Sequence, residues 1–129
     1  MRAALLIVLG LAIGIIGTVF AMNALRERDP LPKAVMNVME HHIGELKQAV
    51  KRGQCEAAAS HTRLQQMYMA SLDVEPAFAG TEPDFLALAG KLRETLHGAA
   101  QAVPADCPAL EATIKPVLQA CHDCHQKYD

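Results

Sequence analysis

Residues 108–128 read PALEATIKPVLQACHDCHQKY. Leu110, Ile114, Val117, Cys121, Cys124 and Tyr128 recur at three- and four-residue spacing, the period of one buried helix face. Within that stripe lies Cys121-His122-Asp123-Cys124-His125, a C-x-x-C-H pattern. On a helix the two thiols and the His125 imidazole project together, toward the core. Pro116 sits inside the same stretch and predicts a kink or one lost hydrogen bond.

The spacing suits c-type haem attachment. Two thiols add across the two vinyl groups of one haem, and the adjacent imidazole binds the iron from one face. The same residues would also serve a dithiol switch or part of a structural zinc site.

Working outward, three more stretches of helical period precede this one. Residues 33–51 carry Met36, Met39, Ile43, Leu46 and Val50 at the spacing of a bundle seam, and Gly53 breaks the run. Residues 55–72 place Ala57, His61, Leu64, Met67 and Tyr68 in or near a stripe. Residues 73–83 read as a turn-rich connection with Gly80 and two prolines. Residues 83–102 follow, Pro83 suiting the first turn, with Phe85, Leu88, Leu92, Leu96 and Ala99 as the buried face. Residues 104–108 are the next break. Four such segments with short links predict an all-α, up-down-up-down four-helix bundle over residues 31–129.

That topology makes two demands. The first and third connections must lie at one end, which brings Cys55 and Cys107 near each other and predicts a disulfide. The start of the first bundle helix and the end of the last must meet at the other end. Met36 lies 19 residues before Cys55, and His125 lies 18 after Cys107. At 1.5 Å per residue both stand about 27–28 Å from the cysteine end. A thioether is therefore expected opposite His125. Met39, one turn on, is the competitor.

Ahead of the bundle, Arg2 precedes an uncharged apolar run from Ala3 to Ala21, closed by Arg26, Glu27, Arg28 and Asp29 and a short Pro-containing linker. Nineteen helical residues span about 28 Å, near the thickness of a bilayer core. Residues 1–30 thus read as a membrane anchor. A signal peptide cut after Ala21 is the alternative. Either exports the rest of the chain to an oxidising compartment, where a second cysteine pair can join.

Composition narrows the functions. The chain has 129 residues, three Phe, two Tyr, no Trp and a net charge of −2. Outside the extreme N-terminus no basic run marks a nucleic-acid partner. There is no nucleophile motif, no phosphate-cradling glycine loop and no carboxylate pair set for acid–base work. His41 and His42 are adjacent and do not share a helix face; His61 reads as a satisfied core histidine, and His122 as facing outward.

The ending from Cys121 to Tyr128 is similar to that of the cytochrome c′ superfamily, and Pro32-Lys33-Ala34-Val35-Met36-Asn37-Val38-Met39 resembles its first helix. The resemblance covers about residues 31–129. It implies a monohaem four-helix bundle, with Cys121 and Cys124 as thioether links to haem c, His125 as proximal iron ligand, and a distal residue in the register of Met36. In the low-spin branch that residue is a methionine ligand; in the high-spin branch a bulky residue only covers the iron. Two departures stand out: Pro32 and Asp129 occupy positions where the family often has Arg. The implied function is an exported electron carrier, not an enzyme, tethered to the inner membrane on the periplasmic side of a bacterium. It would exchange single electrons with redox partner proteins, and a homodimer is left open. An open sixth position would instead make it a binder of a small gas such as nitric oxide.

Overall fold

The computed structural model describes residues 2–26 and 30–128, without the side chains of residues 2–6, 25 and 26. Glu27, Arg28 and Asp29, which close the apolar run, and Asp129, where the resemblance departs, lie outside the described residues. The chain divides into two compact units, Met1–Pro30 and Leu31–Asp129.

The first unit holds helix α1, Arg2–Arg26. Its window Ile7–Ala24 has a mean hydropathy of 2.2, long and apolar enough to cross a membrane; a signal sequence has the same character. Thr18 donates its hydroxyl hydrogen bond to the Gly14 carbonyl one turn back at 2.7 Å. The only hydroxyl in that window is thus satisfied within its own helix, as an apolar surrounding demands.

Among the described residues of the second unit the regular elements are all helices, α2 (Pro30–Arg52), α3 (Ala57–Ser71), a single turn α4 (Val74–Ala77), α5 (Pro83–Gln101) and α6 (Cys107–Tyr128). Several boundaries have a local cause. Pro30 and Pro32 lie in the first turn of α2, where a missing N–H costs nothing. The stretch 30–32 is therefore helix rather than linker. Gly53 ends α2 at φ 65°, with Gly53 N–H donating to the Val50 carbonyl and Gln54 N–H to the Ala49 carbonyl, a Schellman arrangement. Asp106 caps α6, its Oδ1 accepting from Ala109 N–H at 2.8 Å. That cap starts α6 at Cys107, one residue before the periodicity does. Pro116 leaves α6 continuous: it faces solvent, as does Ala112, whose carbonyl loses its partner to the proline.

The core gathers Val35, Met39 and Leu46 of α2, Leu64 and Met67 of α3, Phe85, Ala89, Leu92 and Leu96 of α5, and Leu110, Ile114, Val117 and Ala120 of α6. Helix α5 packs against both α3 and α6. With few aromatics available, small residues let the helices approach, and two serines, Ser60 and Ser71, are buried among them. The connection after α3 departs from the expected irregular turn. There Val74 and Ala77 of α4 enter the core, and Phe78 lays its ring on Phe85 at 5.0 Å. Apolar burial outweighs the turn-forming residues on either side.

Cys55, just before α3, is bonded to Cys107, the first residue of α6, with Cα atoms 5.1 Å apart. Toward the other end of α6, Lys91 and Asp84 of α5 pair with Asp123 and Lys127. Arg63 and Glu45 link α3 to α2 at 3.1 Å. These exposed pairs set helix register more than stability.

Reduction of the disulfide, which spans 52 positions, is expected to lower unfolding stability by about 4 kcal/mol on the chain-entropy relation. Leu96→Ala, at a fully buried site, should cost about 2–5 kcal/mol. Urea titrations with and without a reductant, and of the variant, measure both.

Candidate cofactor site

Four helices and the α4 turn wall a cavity of about 330 Å³. Its lining comes from Met36, Met39, Glu40 and Ile43 of α2, Met67 of α3, Val74 of α4, Ala89 and Leu92 of α5, and Cys121, Cys124 and His125 of α6. The volume lies within the range of small-molecule sites. The wall is mostly aliphatic and thioether, with two thiols, one imidazole and one carboxylate set into it.

Helix geometry gathers the α6 residues. Cys121 and Cys124 extend the stripe of Ile114 and Val117 by two more turns and stand half-buried at its end. His125, one residue on, lies at the exposed edge of the same wall. Met36 also reaches the cavity, so the four residues picked out by spacing all border one space. The structure records no bond between the Cys121 and Cys124 sulfurs; both are free thiols.

Three methionines share the wall but differ in burial. Met39 is 5% exposed and Met67 is fully buried, both inside the core cluster. Met36 is half-buried and packs on the cluster from outside. It can move its thioether without opening a hole in the core.

The environment acts on the thiols. Burial pushes the Cys121 thiol above its ordinary range; the neighbouring Cys124 adds to this, and a backbone hydrogen bond works against it. Burial alone raises Cys124. Beyond the wall, Asp123 is held below the usual carboxylate range by the hydrogen bond from Gln119, and its contact with Lys91 adds to this. Lys127 does the same to Asp84, through its hydrogen bond first and its charge second.

The other histidines separate by partner. The His61 ring lies 3.0 Å, through Nε2, from the Ala100 carbonyl, which only accepts, so Nε2 carries the proton. His122 faces solvent. His97 receives a hydrogen bond from Gln101 and lies against the Tyr68 ring. The His41 and His42 rings meet edge to face at 5.2 Å although they are sequence neighbours. Burial first, then His41 and Arg63, push His42 below the usual imidazole range, and its Nδ1 is buried with no hydrogen-bond partner. Among the described residues no three His, Cys, Asp or Glu side chains form a group that could hold a metal ion.

Tyr128 packs its ring edge-on against Phe85 at 5.3 Å, with the Lys127 ammonium 5.5 Å from its centre. Sequence reasoning missed Glu40, Met67, Val74, Ala89 and Leu92 as wall residues. Leu92 and Met67 had a signal, their place on apolar stripes; Val74 stood in a segment read as connection. Glu40 carried none, since an exposed carboxylate on a helix is usually only solvated.

Comparisons with family models, with curated proteins and with solved structures found no match to this chain.

In the unmodified polypeptide both cavity thiols should stay protonated at neutral pH. Iodoacetamide consumes thiolate, so alkylation of the folded chain at pH 8 should be slower than in urea and rise only above the ordinary thiol range. The sign for stability follows: the raised folded values help below the unfolded pKa, and that help is lost as pH rises through them. For Asp84 the sense reverses, its support being present above the ordinary carboxylate value and lost as pH falls through the lowered one. Asp84→Asn should therefore speed amide exchange at residues 126–128 at neutral pH, measured by mass spectrometry, and change little in strong acid.

Proposed function

We propose that residues 31–129 form a haem c domain of the cytochrome c′ kind, an up-down-up-down bundle that carries single electrons outside the cytoplasm. The observation that carries this reading is one mostly apolar cavity lined at once by Cys121, Cys124, His125 and Met36.

The donor set suits a macrocycle. A haem brings four nitrogens of its own and asks the protein for only one or two axial donors and, in c-type attachment, two thiols. A bare zinc ion asks for three or four protein ligands together, and no such group exists among the described residues. The other two cysteines are already joined to each other.

Within this reading each residue has a task. Cys121 and Cys124 would hold the group, each adding its S–H across one vinyl group to give a thioether link. His125, on α6, would hold the iron through a ring nitrogen. Met36 offers its thioether from α2, because Met39 and Met67 are locked in the core while Met36 is not. When bound, the group supplies a one-electron Fe(III)/Fe(II) couple. A soft sulfur donor favours Fe(II) and raises the potential, and a closed sixth position favours electron transfer over gas binding. The aliphatic part of the wall would limit water around the bound group. Helix α1 acts as the tether to the inner membrane, with partner redox proteins meeting the domain on the periplasmic side.

Protein matured in a bacterial periplasm should keep haem on the polypeptide through denaturing electrophoresis, with the mass raised by one haem. Cys121→Ala with Cys124→Ala should abolish this; a wild-type mass equal to that of the bare chain would refute the reading. Ferric wild-type protein should show the near-infrared band of methionine–iron ligation, lost in Met36→Ala and kept in Met39→Ala. Wild-type protein that is high-spin and takes up carbon monoxide readily would favour the gas-binding alternative.

A further inference from the structure

A second hollow lies between α2 and α6, away from the cysteine motif. It is lined by Lys47, Val50, Lys51, Glu111, Ile114, Lys115, Leu118 and Gln119, with a volume of about 540 Å³. No other helix contributes to its wall. Its floor is aliphatic: Ile114 is buried, and Val50 and Leu118 are half-buried. Its rim is cationic. Lys47 and Lys51 stand one turn apart on the same face of α2, and Lys115 comes from α6.

Two features make this an unusual stretch of surface. Like charges four apart on a helix repel and weaken it, and a third lysine borders the same hollow. None of the three amines makes an ion pair among the described residues; Glu111 is the single carboxylate on the rim. Elsewhere in the same unit Lys91, Arg93 and Lys127 each have a carboxylate partner. An apolar trough rimmed by three ammonium groups against the one carboxylate of Glu111 keeps an excess of positive charge, and complements a molecule with one hydrocarbon chain and one anionic head.

We infer that the α2–α6 groove is a binding site for an anionic single-chain amphiphile, a fatty-acid-like carboxylate. The chain lies over Val50, Ile114 and Leu118, and the carboxylate lies among Lys47, Lys51 and Lys115. Contact with each amine is worth about fivefold in affinity, from Coulomb attraction near 4 Å in water. Each buried methylene is worth about fourfold. The site is independent of the haem reading, since it uses none of the cavity residues around Cys121.

The test uses the full chain in nanodiscs of zwitterionic phosphatidylcholine. Three probes share a twelve-carbon chain with a mid-chain diazirine and end in a carboxylate, an alcohol or a trimethylammonium. After irradiation, labelled peptides are mapped by mass spectrometry, with labelling of the apolar helix α1 as internal standard. The carboxylate should label peptides holding Lys47–Lys51 and Glu111–Gln119 at least tenfold more than the other two probes. Lys47→Ala/Lys51→Ala/Lys115→Ala should reduce that labelling tenfold or more, with labelling of α1 and helicity unchanged. Leu118→Glu, which keeps the lysines but charges the floor, should also abolish it. Equal labelling by all three probes, or unaltered labelling in the triple variant, would overturn the inference. So would salt-sensitive binding of polyglutamate without carboxylate labelling, which would make the groove a contact for an acidic protein.

Discussion

Everything in the second unit hangs on the inward stripe of α6. Leu110, Ile114 and Val117 are buried in the core, and the same face continues into Cys121 and Cys124 at the cavity wall. Core strut and site wall are one helix, so the packing above the thiols sets the direction in which they project. A residue three or four positions from a buried neighbour has little freedom to point elsewhere.

That helix is held along its length by bonds of different strength. The disulfide joins its first residue to the segment ahead of α3, and Asp106 caps the backbone beside it. Weaker ion pairs from α5 meet its last two turns. The strong constraint is thus at Cys107 and the compliant one at the motif.

Helix α2 plays a different part. Three of its residues are buried in the core, and between them it borders two hollows: one with Met36, Met39, Glu40 and Ile43, the other with Lys47, Val50 and Lys51. The two differ in chemistry along one helix. The first is lined by sulfur and aliphatic carbon with a single acid, the second by aliphatic carbon under amines. Helix α2 thus borders two separate hollows, distinguished by what stands at the rim.

The helical class, the segment spacing and the half-burial of the C-x-x-C pair were legible in the sequence, because a 3.6-residue period specifies which side chains share a face. The length and hydropathy of α1 were legible for the same local reason. Reading periods could not decide what depends on contacts between distant segments. Val74 became part of the core because a turn of helix forms where apolar burial outweighs Asp73 and Pro76. Tyr128 turned to Phe85 because an edge-on aromatic contact was within reach on α5. Glu40 joined a cavity wall through the distance between α2 and its neighbours, a quantity no single helix encodes. Sequence by itself determined the elements and their inner faces, which are short-range properties of the chain. Only the tertiary structure decided which methionine stays half-exposed at the cavity and which lysines stay unpaired, because both depend on the packing of separate helices.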